Sequence, residues 1–120
     1  MAKIMVIDDS ELATEMMQMI LESEGHEVLC LNGALGATGQ VSDFQPDLLF
    51  LDVNMPALSG DQLIELIRKN DKTKNTKVLL FSDREDSELR SLSDECGADG
   101  YMQKTSDQDE IINVVKSFCK

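Results

Sequence analysis

Five side chains in four separate segments carry the chemistry this sequence offers. Asp8 and Asp9 close "KIMVIDD", Asp52 closes "LLFLD", Ser82 closes "KVLLFS" and Lys104 closes "GYMQK". Each follows a short apolar run. Gathered in one place, the three carboxylates would repel: at about 4 Å and an effective dielectric near 20, each pair costs roughly 4 kcal/mol. Such a group either raises its pKa values or recruits a cation. A hard divalent ion suits carboxylates, backbone carbonyls and water, and Mg²⁺ keeps several of its waters. With Lys104 alongside, the group would counter the charge of a phosphoryl unit. Asp52 would then be the nucleophile, and its product an acyl phosphate.

The elements that must position these residues are legible as alternating patterns. The apolar runs are "KIMVI", "EVLCL", "DLLFL", "KVLLF" and "GYMQ". Three are continuous rather than alternating, as strands of a parallel sheet covered on both faces must be. Between them lie helical stripes. Leu12, Met16, Met19 and Ile20 form the first, stopped by Gly25. Leu63, Ile64, Leu66 and Ile67 form another, with Ser59 and Gln62 as a capping box. Leu89, Leu92 and Cys96, closed by Gly97, form the next; Ile111, Val114, Val115 and Phe118 form the last. The segment "NGALGATGQVSDF" is glycine-rich, which predicts a short, frayed or partly irregular helix with Leu35, Val41 and Phe44 toward a core.

A βα unit repeated five times makes an open α/β sheet. Sites in such sheets lie outside the carboxyl ends of the strands, at the switch in strand order. In a doubly wound, flavodoxin-like sheet of order 2-1-3-4-5, strands one, three, four and five are contiguous, and their ends can converge. The second strand, followed by Asn32 and Gly33, supplies no candidate.

Each residue has a plainer use. Asp8 or Asp9 can cap the following helix. Asp52 can sit in a turn, Ser82 can pair with Glu85 as a capping box, and Lys104 can lay its stem along the surface. Tyr101 can simply pack with a wet hydroxyl. His26, without a second histidine, reads as structural, and Met16, Met17 and Met19 read as core. "GALGATG" lacks the spacing of a nucleotide-binding loop and follows the wrong strand.

Composition narrows the field further. A chain of 120 residues suits one domain. No apolar run approaches the roughly 20 residues of a membrane span, and the N-terminus lacks a signal peptide's apolar region, so a cytoplasmic location and no membrane partner are expected. Cys30, Cys96 and Cys119 are odd in number and widely spaced, which argues against a zinc site and fits small apolar residues in a reducing compartment. A net charge of -12 with four Phe, one Tyr and no Trp argues against direct nucleic-acid binding.

"VIDDS", "LFLDVNMPALSG", "VLLFS" and "GYMQK" together resemble the receiver domain of bacterial two-component response regulators, across essentially the whole chain (residues 1–120). The resemblance implies that Asp52 is the phosphoacceptor. Asp8 and Asp9 would bind Mg²⁺ (or Mn²⁺) directly or through water, together with Asp52 and the backbone carbonyl of Asn54. Lys104 would pair with the phosphoryl group. Ser82 would hydrogen-bond it and carry the switch, and Tyr101 would follow by turning inward. The donor would be a sensor histidine kinase or phosphotransfer protein. The face built from the fourth helix, fifth strand and fifth helix would change its affinity for a downstream protein target. The length is similar to that of stand-alone, chemotaxis-type regulators, signalling switches that take part in their own phosphorylation and dephosphorylation rather than enzymes.

Two positions depart from that pattern. Asp83 stands where receivers usually carry a small residue, and a carboxylate there can repel an incoming donor. Thr105 follows Lys104 where the family usually has a cis-proline; since a non-proline cis bond costs about 2.5–4 kcal/mol, a trans bond or a shifted loop is expected. Two other functions compete. A receiver-like binding module would not switch by phosphorylation. A phosphatase of the haloacid dehalogenase type would start from "DVN", but its second aspartate is Asn54 here and the chain is short for one.

Overall fold

The computed structural model describes residues 2–33, 36–53 and 60–119. Strands β1 (Lys3–Ile7), β2 (Glu27–Leu31), β3 (Leu48–Leu51), β4 (Lys77–Ser82) and β5 (Gly100–Gln103) alternate with helices α1 (Glu11–Ser23), α2 (Ala37–Phe44), α3 (Gly60–Lys69), α4 (Asp86–Cys96) and α5 (Gln108–Phe118). All strand pairs are parallel and the order is β2-β1-β3-β4-β5. The apolar runs of the sequence coincide with the strands to within one residue.

The continuity of those runs has a direct cause. Met5, Ile7, Leu49, Leu51, Val78 and Leu80 point to one side, where they pack with Val41 of α2, Leu63, Ile64 and Ile67 of α3 and Leu89 of α4. Ile4, Val6, Leu48, Phe50, Leu79 and Phe81 point to the other, where Met17, Ile20 and Leu21 of α1 and Ile111 and Val115 of α5 meet them. With helices on both faces, successive interior positions of a central strand must be apolar on both sides. Phe50 and Phe81 form an edge-to-face pair with centroids 5.7 Å apart at the centre of the second layer. β5 lies at the sheet edge between α4 and α5, so these three elements form one side of the molecule.

Helix ends follow local chemistry. Ser10 caps α1, its side chain accepting the Ala13 N–H at 3.2 Å. Asp107 caps α5 by accepting the Asp109 and Glu110 N–H groups. Gly97 ends α4 in the left-handed region that favours glycine, at φ 76°. Helix α2 is short, as its glycines require, with Ala37 and Val41 buried and Phe44 partly so; Leu35, and the capping residue Ser59 before α3, lie outside the described residues. None of the three cysteines is in a disulfide and all are partly buried, and His26 is structural, its Nδ1 accepting the Ala2 N–H at 3.1 Å.

At the amino ends of β4 and β5, Arg68 closes a clasp. Its guanidinium donates to the carbonyls of Lys74, Thr76 and Gly97, and its Nη2 lies 2.7 Å from Asp99 Oδ2. The same Asp99 oxygen accepts the Val78 N–H at 2.8 Å. One side chain thus ties the end of α3 to the starts of β4 and β5 and to the end of α4.

The expected core stripe of α1 is corrected by the structure. Thr14, Met17, Ile20 and Leu21 are buried, whereas Leu12 and Met19 are 78% and 73% exposed and Met16 is only partly covered. Leu66 of α3 is likewise 48% exposed. Both stripes of α1 obey the helical period, and periodicity alone cannot choose between them. The Ser10 cap and the sheet contact of Met17 set the phase. Met17→Ala should therefore cost about 2–5 kcal/mol of unfolding free energy, and Met19→Ala less than about 0.5 kcal/mol, measured by urea denaturation.

Candidate functional site

Three backbone hydrogen bonds carry the sheet one residue past its strands. The Asp52 N–H donates to Ile7 at 3.0 Å, the Asp8 N–H to Leu31 at 3.0 Å, and the Lys104 N–H to Ser82 at 2.8 Å. The Cα positions of Asp8, Asp52 and Lys104 are therefore set by the sheet, although none of these residues belongs to a strand. Because β1 is next to β3 and β5 is next to β4, the side chains meet.

The meeting is close. Lys104 Nζ lies 2.8 Å from Asp8 Oδ2 and 3.2 Å from Asp52 Oδ2. Asp8, Asp9 and Asp52 each bring an oxygen within 4.8 Å of the others. Asp8 and Asp52 are buried and Asp9 is exposed. Asp8 Oδ1 accepts the Ser10 N–H at 2.9 Å, while Asp8 Oδ2, though beside the ammonium, receives no aligned hydrogen bond. The Lys104 ammonium faces that oxygen, but one positive charge stands against three carboxylates. Such a donor set fits a hard, oxygen-seeking divalent ion.

The plainer uses can now be weighed. Ser10, not Asp8 or Asp9, caps α1. Ser82 ends β4 and is fully buried; α4 starts at Asp86 with Glu85 at its cap, so the capping box of Ser82 and Glu85 is absent. Instead Ser82 Oγ accepts the Arg84 N–H at 3.3 Å. Tyr101 is partly buried against the core layer that α2, α3 and α4 cover. Asn54 lies outside the described residues. No cis peptide bond occurs among the described residues, as expected at Thr105, and Lys104 still reaches both aspartates. Thr105 Oγ1 accepts the Asp107 N–H at 3.0 Å and so shapes the loop from Lys104 to the α5 cap.

Sequence reasoning missed Asn32. Its amide donates to the Asp8 carbonyl at 3.1 Å and to Thr14 Oγ1 at 3.0 Å, pinning the β1–α1 turn from the end of β2. Its position directly after a strand was the available signal.

A depression of about 490 Å³ opens over the cluster, lined by Asp9, Asp52, Lys104, Asp83, Leu12 and Met16 among others. A larger one, about 680 Å³, lies at the opposite ends of the strands near Pro46, Lys77 and Phe118. There the carboxylate of Asp47 is engaged by the Lys3 N–H at 2.9 Å, whereas the three-carboxylate cluster lies at the smaller one. No helix among the described residues is long and apolar enough to cross a membrane.

Burial is the largest single influence on the Lys104 ammonium and pushes its pKa down. The short contact with Asp8 and the charges of Asp52 and Asp8 outweigh it, leaving the pKa above the ordinary lysine value. A pKa raised by folding contributes stability that is full below the unfolded lysine value, about 10.4, and is lost as pH rises through the folded one. A ¹³C titration of Lys104 should give a midpoint above that of the surface lysines, and Asp8→Asn should bring it down.

A profile described as the response regulator receiver domain matches residues 4–116. Protein PilG of Pseudomonas aeruginosa is 29% identical over 96% of this chain and 85% of its own length. The CpxR homolog of Haemophilus influenzae is 32% identical over 100% of this chain, which spans only 51% of that regulator. The solved structure of the chemotaxis response regulator CheY4 of Vibrio cholerae superposes with a TM-score of 0.89, at 24% identity, over 98% of both chains, which establishes a shared fold. With the strand order and the match along nearly its whole length, the chain belongs to the response regulator receiver domain family.

Proposed function

We propose that residues 1–120 form one receiver unit in which Asp52 accepts a phosphoryl group, and that this acylation switches the affinity of the side formed by α4, β5 and α5. The observation that carries the reading is the Lys104 ammonium between Asp52 and Asp8, inside the only three-carboxylate cluster among the described residues that could hold a metal ion.

In the transfer, an Asp52 oxygen attacks the phosphorus of a phosphohistidine. The phosphorus–nitrogen bond breaks, its electron pair stays on the departing imidazole nitrogen, and a proton on the other ring nitrogen lets the ring leave neutral. Asp8, Asp9 and Asp52 would hold Mg²⁺ (or Mn²⁺), with the Asn54 carbonyl as a further ligand. The ion supplies charge neutralisation for the incoming phosphoryl oxygens. Lys104 exchanges part of its contact with Asp52 for a phosphoryl oxygen, its positive charge aimed where negative charge develops. Ser82, at the end of β4, donates its hydroxyl to the phosphoryl group, and the movement passes to Tyr101 on neighbouring β5. The two-state bias comes from charge added at one point.

The donor in this reading is a protein, a sensor histidine kinase or phosphotransfer protein. Leu12 and Met16 line the same depression, and exposed Met19 extends the apolar stripe along α1. That stripe borders the acceptor, which is where a donor helix would rest. A phosphatase would turn over many phosphate esters, whereas this site is proposed to take one phosphoryl group per chain and to release it only by hydrolysis at Asp52.

Incubation with acetyl phosphate and Mg²⁺ should add the mass of one phosphoryl group, and Asp52→Asn should abolish the gain in an intact-mass measurement. Label retained in Asp52→Asn would refute the assignment. Lys104→Ala keeps the nucleophile but removes the charge opposite the phosphoryl oxygens; its phosphorylation rate should fall by about 10²-fold or more, read as single-turnover kinetics at saturating Mg²⁺.

A further inference from the structure

We propose that Asp83 sets which phosphodonors the pocket accepts, disfavouring dianionic acyl phosphates relative to phosphorus–nitrogen donors that carry less negative charge. This rests on Asp52 being the phosphoacceptor.

Asp83 follows the last residue of β4, which places it at the carboxyl edge of the sheet. It is exposed and lines the same depression as Asp9, Asp52, Lys104, Thr105 and Ser106. It is not one of the three carboxylates whose oxygens approach within 4.8 Å, so it stands apart from the metal-holding set. Among the described residues, no cation forms an ion pair with it. The next residue, Arg84, lines a separate depression along α4 with Glu88 and Glu95.

The charges explain why this one matters. Three carboxylates, one divalent ion and one ammonium balance to neutrality. Asp83 is a further charge beyond that set, and it lines the depression through which a donor would reach Asp52. A donor with two negative charges approaches against a like charge, in a setting where solvent screens but does not erase the repulsion. Acetyl phosphate is such a donor near neutral pH. Phosphoramidate has a protonated nitrogen on phosphorus and carries one negative charge fewer, so the same carboxylate opposes it less. A phosphohistidine also carries a phosphorus–nitrogen bond, and protonation of its other ring nitrogen likewise removes one negative charge from the donor. The result is a pocket biased toward transfer from histidine and away from the cell's small acyl phosphates, without any change at Asp52 itself.

The test compares wild type, Asp83→Asn, Asp83→Ala and Asp52→Asn at saturating Mg²⁺, with acetyl phosphate and phosphoramidate as separate donors and phosphoprotein formation as the readout. Asp83→Asn keeps the size and removes the charge. It should accelerate labelling by acetyl phosphate on the order of 3- to 10-fold and labelling by phosphoramidate by about twofold or less. Added KCl should raise the wild-type acetyl phosphate rate and leave that of Asp83→Asn nearly flat. Equal acceleration of both donors, or acceleration in Asp83→Ala but not in Asp83→Asn, would overturn the charge filter, the second result pointing to size. If wild type took no label from either donor, or Asp52→Asn took as much, the phosphoacceptor reading would fall and this inference with it.

Discussion

The structure depends on one electrostatic arrangement, an ammonium held between two buried carboxylates at the carboxyl edge of a parallel sheet. Lys104 lies within 3.2 Å of both Asp8 and Asp52, and each of the three arrives there through a backbone bond that continues the sheet. The pairing is incomplete by design of its charges. One ammonium cannot satisfy three carboxylates, and an oxygen of Asp8 stays without an aligned donor. The site is therefore held in register by the fold but left short of positive charge. Asp8, Asp9 and Asp52 would hold a divalent ion there, which would supply the missing positive charge.

The rest of the fold serves that edge. Two apolar layers press on the sheet from opposite sides, and between their end residues the central strands β1, β3 and β4 carry only apolar side chains. Asn32 adds a bond from the far side of β1, so the turn bearing Asp8 is fixed from both neighbouring strands. The Asp83 carboxylate lies outside this three-carboxylate set, exposed and lining the depression above it.

Much of this was legible in the sequence because it rests on order and type. Strands buried on both faces must be apolar throughout, so their limits were readable, and residues just past them were the natural candidates. Asp8, Asp9, Asp52 and Lys104 converge as the strand order requires. Helix phase was not legible. Helix α1 carries two apolar stripes, and only the sheet contact of Met17 and the Ser10 cap decide that Leu12 and Met19 face outward. Asn32 was passed over because an amide after a strand has no chemistry of its own; its role exists only through the Asp8 carbonyl. Ser82 illustrates a third kind of ambiguity, since "SDRE" satisfies the spacing of a helix cap while the strand continues through the serine.

The Arg68 clasp has a mechanical meaning for the molecule as a whole. It fastens α3, β4, α4 and β5 to one another at the rim farthest from Asp52. A rearrangement begun at the opposite rim would pivot about this fastened base, leaving Ser82 and the first turn of α4 more freedom than Gly97 and Asp99. A spectroscopic tag on that first turn would track the rearrangement, while the same tag beside Asp99 would serve as its stationary reference.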